Sequence, residues 1–225
     1  MFRSLVTVSL IFTLCFSAQA AVVLDFDADT EGFVLNSGSS VTQDAFNGGS
    51  LRITTDGGDD AAAAQLNFAA ASAIGMELAQ AQSSGGTISF DVFVVADDQV
   101  GGPGFYQSAA ILQSDSNGAA EPGTFSRENE FLSVPSAGSQ SFETITYQIV
   151  NAANGSPEAN NSDGNLHYQG TASGGKIFLG INNSSGYSSA TIYVDNFTIT
   201  AVPEPSSFAL LGFAGLGFVV RRRRK

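Results

Sequence analysis

Tryptophan is absent from this 225-residue chain, cysteine and histidine occur once each, and basic residues are scarce outside the two ends. Each shortage excludes a chemistry. The one cysteine, Cys15, lies inside an N-terminal apolar run, so the body of the chain (residues 21–201) has no disulfide, thiolate nucleophile or cysteine metal site. A histidine-based triad would rest on His167 alone, in an Asn- and Gly-rich stretch that reads as a solvated loop. Without tryptophan, any aromatic platform must be built from tyrosine or phenylalanine. Six of the nine basic residues (Arg3, Arg221, Arg222, Arg223, Arg224 and Lys225) lie in the ends, leaving Arg52, Arg127 and Lys176. Of the 21 acidic residues only Glu204 lies there, leaving 20 and a body charge of −17. Nucleic acid is thereby excluded as a partner, because binding it needs a basic face that displaces counterions. Such a body suits cation binding or extracellular solubility. Carboxylate pairs are abundant only because the whole body is acidic, so no acid and base pair of the glycosidase kind stands out. The body reads as non-catalytic.

The ends are more specific. Met1-Phe2-Arg3-Ser4 is followed by the apolar run Leu5 to Phe16 and then Ser17-Ala18-Gln19-Ala20. A basic start, an apolar run of about a dozen residues and a small-x-small exit describe a secretory signal peptide, with Ala18 and Ala20 at the cleavage site. A membrane span needs roughly 20 apolar residues. At the other end Val202-Pro203-Glu204-Pro205 precedes Phe208 to Val220, which has no polar side chain, and then five consecutive basic residues. The prolines hold Pro203 to Pro205 extended, the apolar stretch is marginal for a span, and the basic cluster marks the cytoplasmic side.

Val202 to Lys225 resembles the PEP-CTERM family of bacterial sorting tails, also described as an ice-binding-protein C-terminal motif. The resemblance implies that an exosortase, an envelope cysteine protease resembling transpeptidases, cuts near Pro203, Glu204 and Pro205. The hydrophobic helix and Arg221 to Arg224 would engage the inner membrane during sorting. It also implies cargo of Gram-negative bacteria that make an exopolysaccharide matrix. The expected organisation is a signal peptide at 1–20, one domain at 21–201 and a sorting tail at 202–225.

Within the body, short segments rich in β-branched and aromatic residues alternate with Gly, Ser, Asn and Asp clusters, which predicts an all-β sandwich or barrel. Strands are expected at Val22–Phe26, Gly32–Asn36, Ser50–Thr54, Thr87–Val95, Ala109–Gln113, Glu130–Val134, Phe142–Val150, Lys176–Asn182 and Thr191–Thr200. Ile192, Val194 and Phe197 break parity, so a bulge near Asp195-Asn196 is expected. Ala61 to Gln82 fits either a helix throughout, or a strand at Ala62–Phe68 leading to a short helix at Ser72–Gln82. Asp97–Gln107 and Asn151–Ser173 read as long surface loops. No repeat of fixed period is visible.

The segments Leu24-Asp25-Phe26-Asp27 with Glu31-Gly32-Phe33, Gly49-Ser50-Leu51-Arg52-Ile53, Gly86 to Val92 and Ile192 to Phe197 together resemble jelly-roll, carbohydrate-binding-module-like domains of the galactose-binding-like fold. The carboxylates suit calcium, a hard cation taking several oxygen ligands. Asp25, Asp27 and Asp29 share one side if extended, and they do not form an EF-hand, because Thr30 stands where its glycine is required. Asp56-Gly57-Gly58-Asp59-Asp60 is a second acidic loop. The resemblance implies a structural calcium tying the first strand to the last, at Asp25 or Asp27 with Asp195. For sugar stacking the candidates are Tyr106, Tyr168 and Tyr187, in or beside glycine-rich loops. The expected role is a non-catalytic matrix protein that associates with exopolysaccharide through weak glycan binding. The alternatives are a calcium-dependent structural or adhesive biofilm protein, and then a glycan-active enzyme.

Overall fold

The computed structural model describes residues 21–38, 40–55, 61–96, 106–114, 125–132, 141–151, 164–183 and 190–202. Twelve strands in these residues form two sheets. The strands are β1 (Val22–Leu24), β2 (Val34–Ser37), β3 (Ser40–Asp44), β4 (Ser50–Thr54), β5 (Ala61–Phe68), β6 (Gly86–Ala96), β7 (Tyr106–Ser114), β8 (Phe125–Phe131), β9 (Glu143–Asn151), β10 (Asn165–Tyr168), β11 (Gly175–Asn183) and β12 (Ala190–Ala201). One helix, α1 (Ala73–Ser84), and a short 3-10 turn at Phe46–Gly48 complete the described elements.

The seven-stranded sheet runs β10-β9-β6-β12-β4-β3, with β1 also paired to β12, and the five-stranded sheet runs β2-β5-β11-β7-β8. The chain crosses repeatedly from one sheet to the other, as from β4 to β5 and β11 to β12. The result is a β-sandwich, one of the two architectures the strand pattern allows, and of the jelly-roll kind that the resemblance implies.

Alternation sets the core. Ile177, Leu179 and Ile181 of β11, Ala62, Ala64, Leu66 and Phe68 of β5, and Ile145, Tyr147 and Ile149 of β9 point inward, while their neighbours face out. On β12 the inward set is Ile192 and Val194, then Phe197 and Ile199. The register against β6 shifts between Asp195 and Thr198, and Asn196 adopts φ 50°, so the expected bulge is present and restores the inward face. Phe26, Phe33, Phe90 and Phe197 pack edge-on or stacked at the centre.

Of the two readings of Ala61 to Gln82, the strand-then-helix one is correct. Alanine's helix propensity is overridden because β5 pairs with β11 over eight consecutive residues, from Ala61↔Asn182 to Phe68↔Gly175. Ser72 caps α1 by accepting from the Gly75 N–H at 3.2 Å, and Gly85, at φ 87°, ends it. The buried Glu77 accepts from the Ala201 N–H at 2.7 Å, which ties the helix to the end of β12.

Three expectations need correction. The supposed loop Asn151–Ser173 contains β10, which pairs in parallel with β9 and buries Leu166 and Tyr168. His167 therefore sits on a strand, partly buried, its N–H donating to Ser126 Oγ at 2.9 Å. The edge strand β3 is polar and gave no apolar alternation, and β8 lies earlier in the chain than the expected Glu130–Val134.

Candidate functional site

The outer face of the five-stranded sheet is assembled by register. Gln65 of β5, Phe178 of β11, Ile111 of β7 and Arg127 of β8 form one row across the strands. Asn67, Lys176 and Gln113 form the next row on one side, and Ala63, Gly180 and Ala109 the next on the other. The small residues leave a trough and the larger row walls it. The resulting depression, about 330 Å³, is lined by Ala63, Ala109, Ile111, Arg127, Phe178 and Gly180 among others. A Cβ on Gly180 would run into the Ala62 carbonyl and the Ala63 side chain, so only glycine fits this floor. Gln65 Nε2 donates to Asn67 Oδ1 at 2.8 Å, joining the Phe178 row to the Lys176 row beyond it, while Asn36 and Ser37 supply polar groups to the lining itself. Phe178, Arg127 and Lys176 are all partly exposed. A small apolar depression bordered by one aromatic ring, amides and cations can hold a polyhydroxylated ligand through stacking and hydrogen bonds.

The outer face of the seven-stranded sheet is different. Phe46, from the 3-10 turn, stacks on Tyr193 at 4.4 Å between centroids and on Phe93 at 5.2 Å, and Phe142 packs against Phe46 and Phe93. These rings cover one another and the sheet beneath. Beside them lie carboxylates. Asp91 accepts from Thr144 Oγ1 at 2.6 Å and Asn196 Nδ2 at 2.9 Å. Asp195, at the bulge, accepts from the Asn196 N–H at 2.7 Å. Burial pushes the Asp195 carboxyl above the usual aspartate range; Asp91 and Asp27 add to this, while bonds from Asn196 and Asn47 oppose it.

The expected sites fare unequally. Asp25, Asp27 and Asp29 do not continue a strand, because β1 ends at Leu24 and Phe26 turns the chain at φ 55°. Asp25 Oδ1 accepts from the Asp27 N–H at 3.3 Å, and Asp29 Oδ1 from the Glu31 N–H at 2.6 Å. Partial burial, with Asp29 and Asp25 nearby, raises the Glu31 carboxyl. Of the residues expected opposite Asp195, Asp27 is the one whose charge reaches it. Among the described residues no three acidic, histidine or cysteine side chains form a group that could hold a metal by themselves.

Tyr168 is no platform. It is 1% exposed and packs near Phe68 in the core, because β10 turns its second and fourth residues inward. Tyr106 opens β7, its side chain outside the described residues, and Tyr187 lies outside them altogether. So do Ala18, Ala20, the Asp56–Asp60 loop, Pro203, Glu204, Pro205 and Arg221 to Arg224. Among the described residues no helix is long and apolar enough to cross a membrane.

The signal that would have found the trough is faint. In Lys176-Ile177-Phe178-Leu179-Gly180-Ile181 the aliphatic residues take one parity, which leaves Phe178 on the other.

Residues 201–224 match the PEP-CTERM protein-sorting motif. The chain thus carries the sorting signal of an exosortase-processed, envelope-anchored extracellular protein. No curated protein matches it. Among solved structures it is similar to a xylan-binding domain from Paenibacillus barcinonensis, at 18% identity over 82% of this chain and 97% of that one, with a TM-score of 0.46. It is similar as well to a family 11 carbohydrate-binding module of a cellulosomal cellulase from Clostridium thermocellum (15% identity, 84% and 99% covered, TM-score 0.48). A further similarity is to an exo-beta-agarase (16% identity, 80% and 26% covered, TM-score 0.47).

Proposed function

We propose that this protein is a non-catalytic glycan-binding β-sandwich, exported through its N-terminal signal peptide and sorted by an exosortase to act in the exopolysaccharide matrix of a biofilm. The observation that carries the binding reading is the trough on the five-stranded sheet. Its small-residue floor, the Phe178 ring and the polar side chains of Asn36, Ser37 and Arg127 in its lining supply the apolar face and polar edge that a sugar ring needs. Retention of the full chain on immobilised polysaccharides tests this. Retention of at least one glycan, without release of reducing sugar, is expected. Loss of retention by all glycans overturns it, and steady release of sugar favours the enzyme reading. For the sorting step, the mature product weighed from strains with and without exosortase should differ by the C-terminal tail; an intact Lys225 in both contradicts it.

A second reading, the calcium-dependent structural protein, draws on the bulge. Asp27 and Asp195 supply carboxylates, Asn47 an amide, and the Phe26, Asp27 and Asp44 carbonyls converge on Gln43 Nε2 at 3.3, 3.4 and 3.1 Å. The two carboxylates are ligands a hard cation takes, and the carbonyls that now accept from Gln43 could join them only if that amide moved aside. A bound calcium would relieve the like-charge crowding that raises Asp195. An unchanged melting temperature on chelation would remove this reading.

A further inference from the structure

The body holds only three basic residues against 20 acidic ones, yet two of the three, Arg127 and Lys176, stand on the outer face of the five-stranded sheet. The third, Arg52, lies on the other sheet, 3.9 Å from Asp44. Acidic residues are distributed the opposite way. The five strands β2, β5, β11, β7 and β8 contain just two, Glu128 and Glu130. Glu128 takes the parity opposite to Arg127 and is buried, accepting from the Gly164 N–H at 3.2 Å, while the Glu130 side chain lies outside the described residues. Among the described side chains, the strand positions that face outward around the trough are thus basic, amide, aromatic, aliphatic or small, and none is a carboxylate. For a body of net charge −17 this is a segregated patch.

We infer that the face around the trough selects an acidic polysaccharide, one bearing carboxylate or sulfate groups along its length, with Arg127 in the lining and Lys176 one row beyond Phe178 contacting the anionic groups and Phe178 the sugar face. The inference rests on the glycan-binding reading and specifies its ligand. Lys176 lies two residues from Phe178 on β11, and Arg127 two strands away in the row of Phe178. On the strand grid their Cα atoms are about 12 Å apart, a spacing that suits charge repeated along a polymer. A guanidinium can grip a carboxylate or sulfate with two parallel hydrogen bonds, stronger than neutral ones, while an ammonium adds a point charge. The remaining negative charge does not forbid this. At about 0.1 M salt, charges more than roughly 10 Å from the ligand are screened, whereas contacts within the trough persist.

The test is affinity electrophoresis of the full chain, at about 0.1 M salt with chelator present, through gels containing polygalacturonate, dextran sulfate, unmodified dextran, xylan or mixed-linkage glucan. Tighter binding to polygalacturonate or dextran sulfate than to every neutral polymer, by tenfold or more, is expected; the two acidic gels tell carboxylate from sulfate. Arg127→Gln and Lys176→Gln should collapse that preference towards parity, and Arg127→Lys should retain part of it, with each variant assayed well below its own melting temperature. Equal binding of acidic and neutral polymers overturns the inference and leaves the glycan-binding reading standing. So does an acidic preference that survives the double glutamine variant, or one that appears only when calcium replaces chelator and so reports metal bridging. Failure to bind any polymer overturns both.

Discussion

The two outer faces of the sandwich are built by the same alternation but left in opposite chemical states. On the seven-stranded sheet the outward positions of β3, β6 and β12 carry Asp44, Asp91 and Asp195, and four aromatic rings close over the rest. On the five-stranded sheet the outward positions carry Arg127, Lys176, amides and a row of small residues, and among the described side chains one ring, Phe178, stands over a depression. Rings that stack on one another at 4.4 and 5.2 Å are spent on covering their own sheet. A ring beside a trough has a face left for a ligand. Counting aromatic residues therefore says little about binding until the partners of each ring are known.

Four substitutions should break or sharpen this contrast. The largest effect is expected at Tyr168, which neither face owns: Tyr168→Ala should cost about 3–5 kcal/mol, as for other large buried aromatics, lowering the melting temperature by roughly 10 °C. Glycan retention measured below that melting temperature should survive; a stable variant that lost only binding would restore Tyr168 as a platform. Next, Phe46→Ala strips the ring that joins Phe93, Phe142 and Tyr193, and should cost about 2 kcal/mol in a urea titration while leaving glycan affinity alone. Phe178→Ala should do the reverse, weakening glycan affinity about tenfold, or about 1.4 kcal/mol, with little change in melting temperature. If the effects of Phe46 and Phe178 were exchanged, the assignment of the two faces would be wrong.

The smallest effect concerns Asp195. Its carboxyl is raised in the folded state, so its favourable contribution is complete below the ordinary aspartate range and is lost as pH rises through the raised value. At neutral pH in chelator, Asp195→Asn should therefore raise the melting temperature by about 2 °C, with the gain shrinking towards pH 4. With calcium the sign should reverse, because the wild type gains a bound ion and the variant loses a ligand. No reversal on adding calcium would leave the acidic face without its metal reading.

How much of this was legible in the chain depends on how local each feature is. The bulge at Asp195-Asn196 shows as a parity break among Ile192, Val194 and Phe197, all within six residues. By contrast, Ala61 to Phe68 is decided by β11, more than a hundred residues away, since alanine fits both periods. β10 has four residues in an Asn- and Gly-rich setting and exists because it pairs in parallel with β9, so its own composition could not announce it. The trough is the extreme case. Gln65, Ile111, Arg127 and Phe178 meet only through the strand order β5-β11-β7-β8, which no window of sequence contains. Tyr168 reads as a loop tyrosine from its Asn- and Gly-rich surroundings, and it turns inward because β10 gives its second and fourth residues to the core. The sorting tail was readable in full because its three signals are contiguous.

The most direct test of the account is radical footprinting of the full chain, free and saturated with the polysaccharide it binds most tightly. Phe178 and Ile111 should lose reactivity on binding while Phe46 and Tyr193 keep theirs. Protection of Phe46 and Tyr193 with Phe178 unchanged would place the ligand on the other sheet and contradict it.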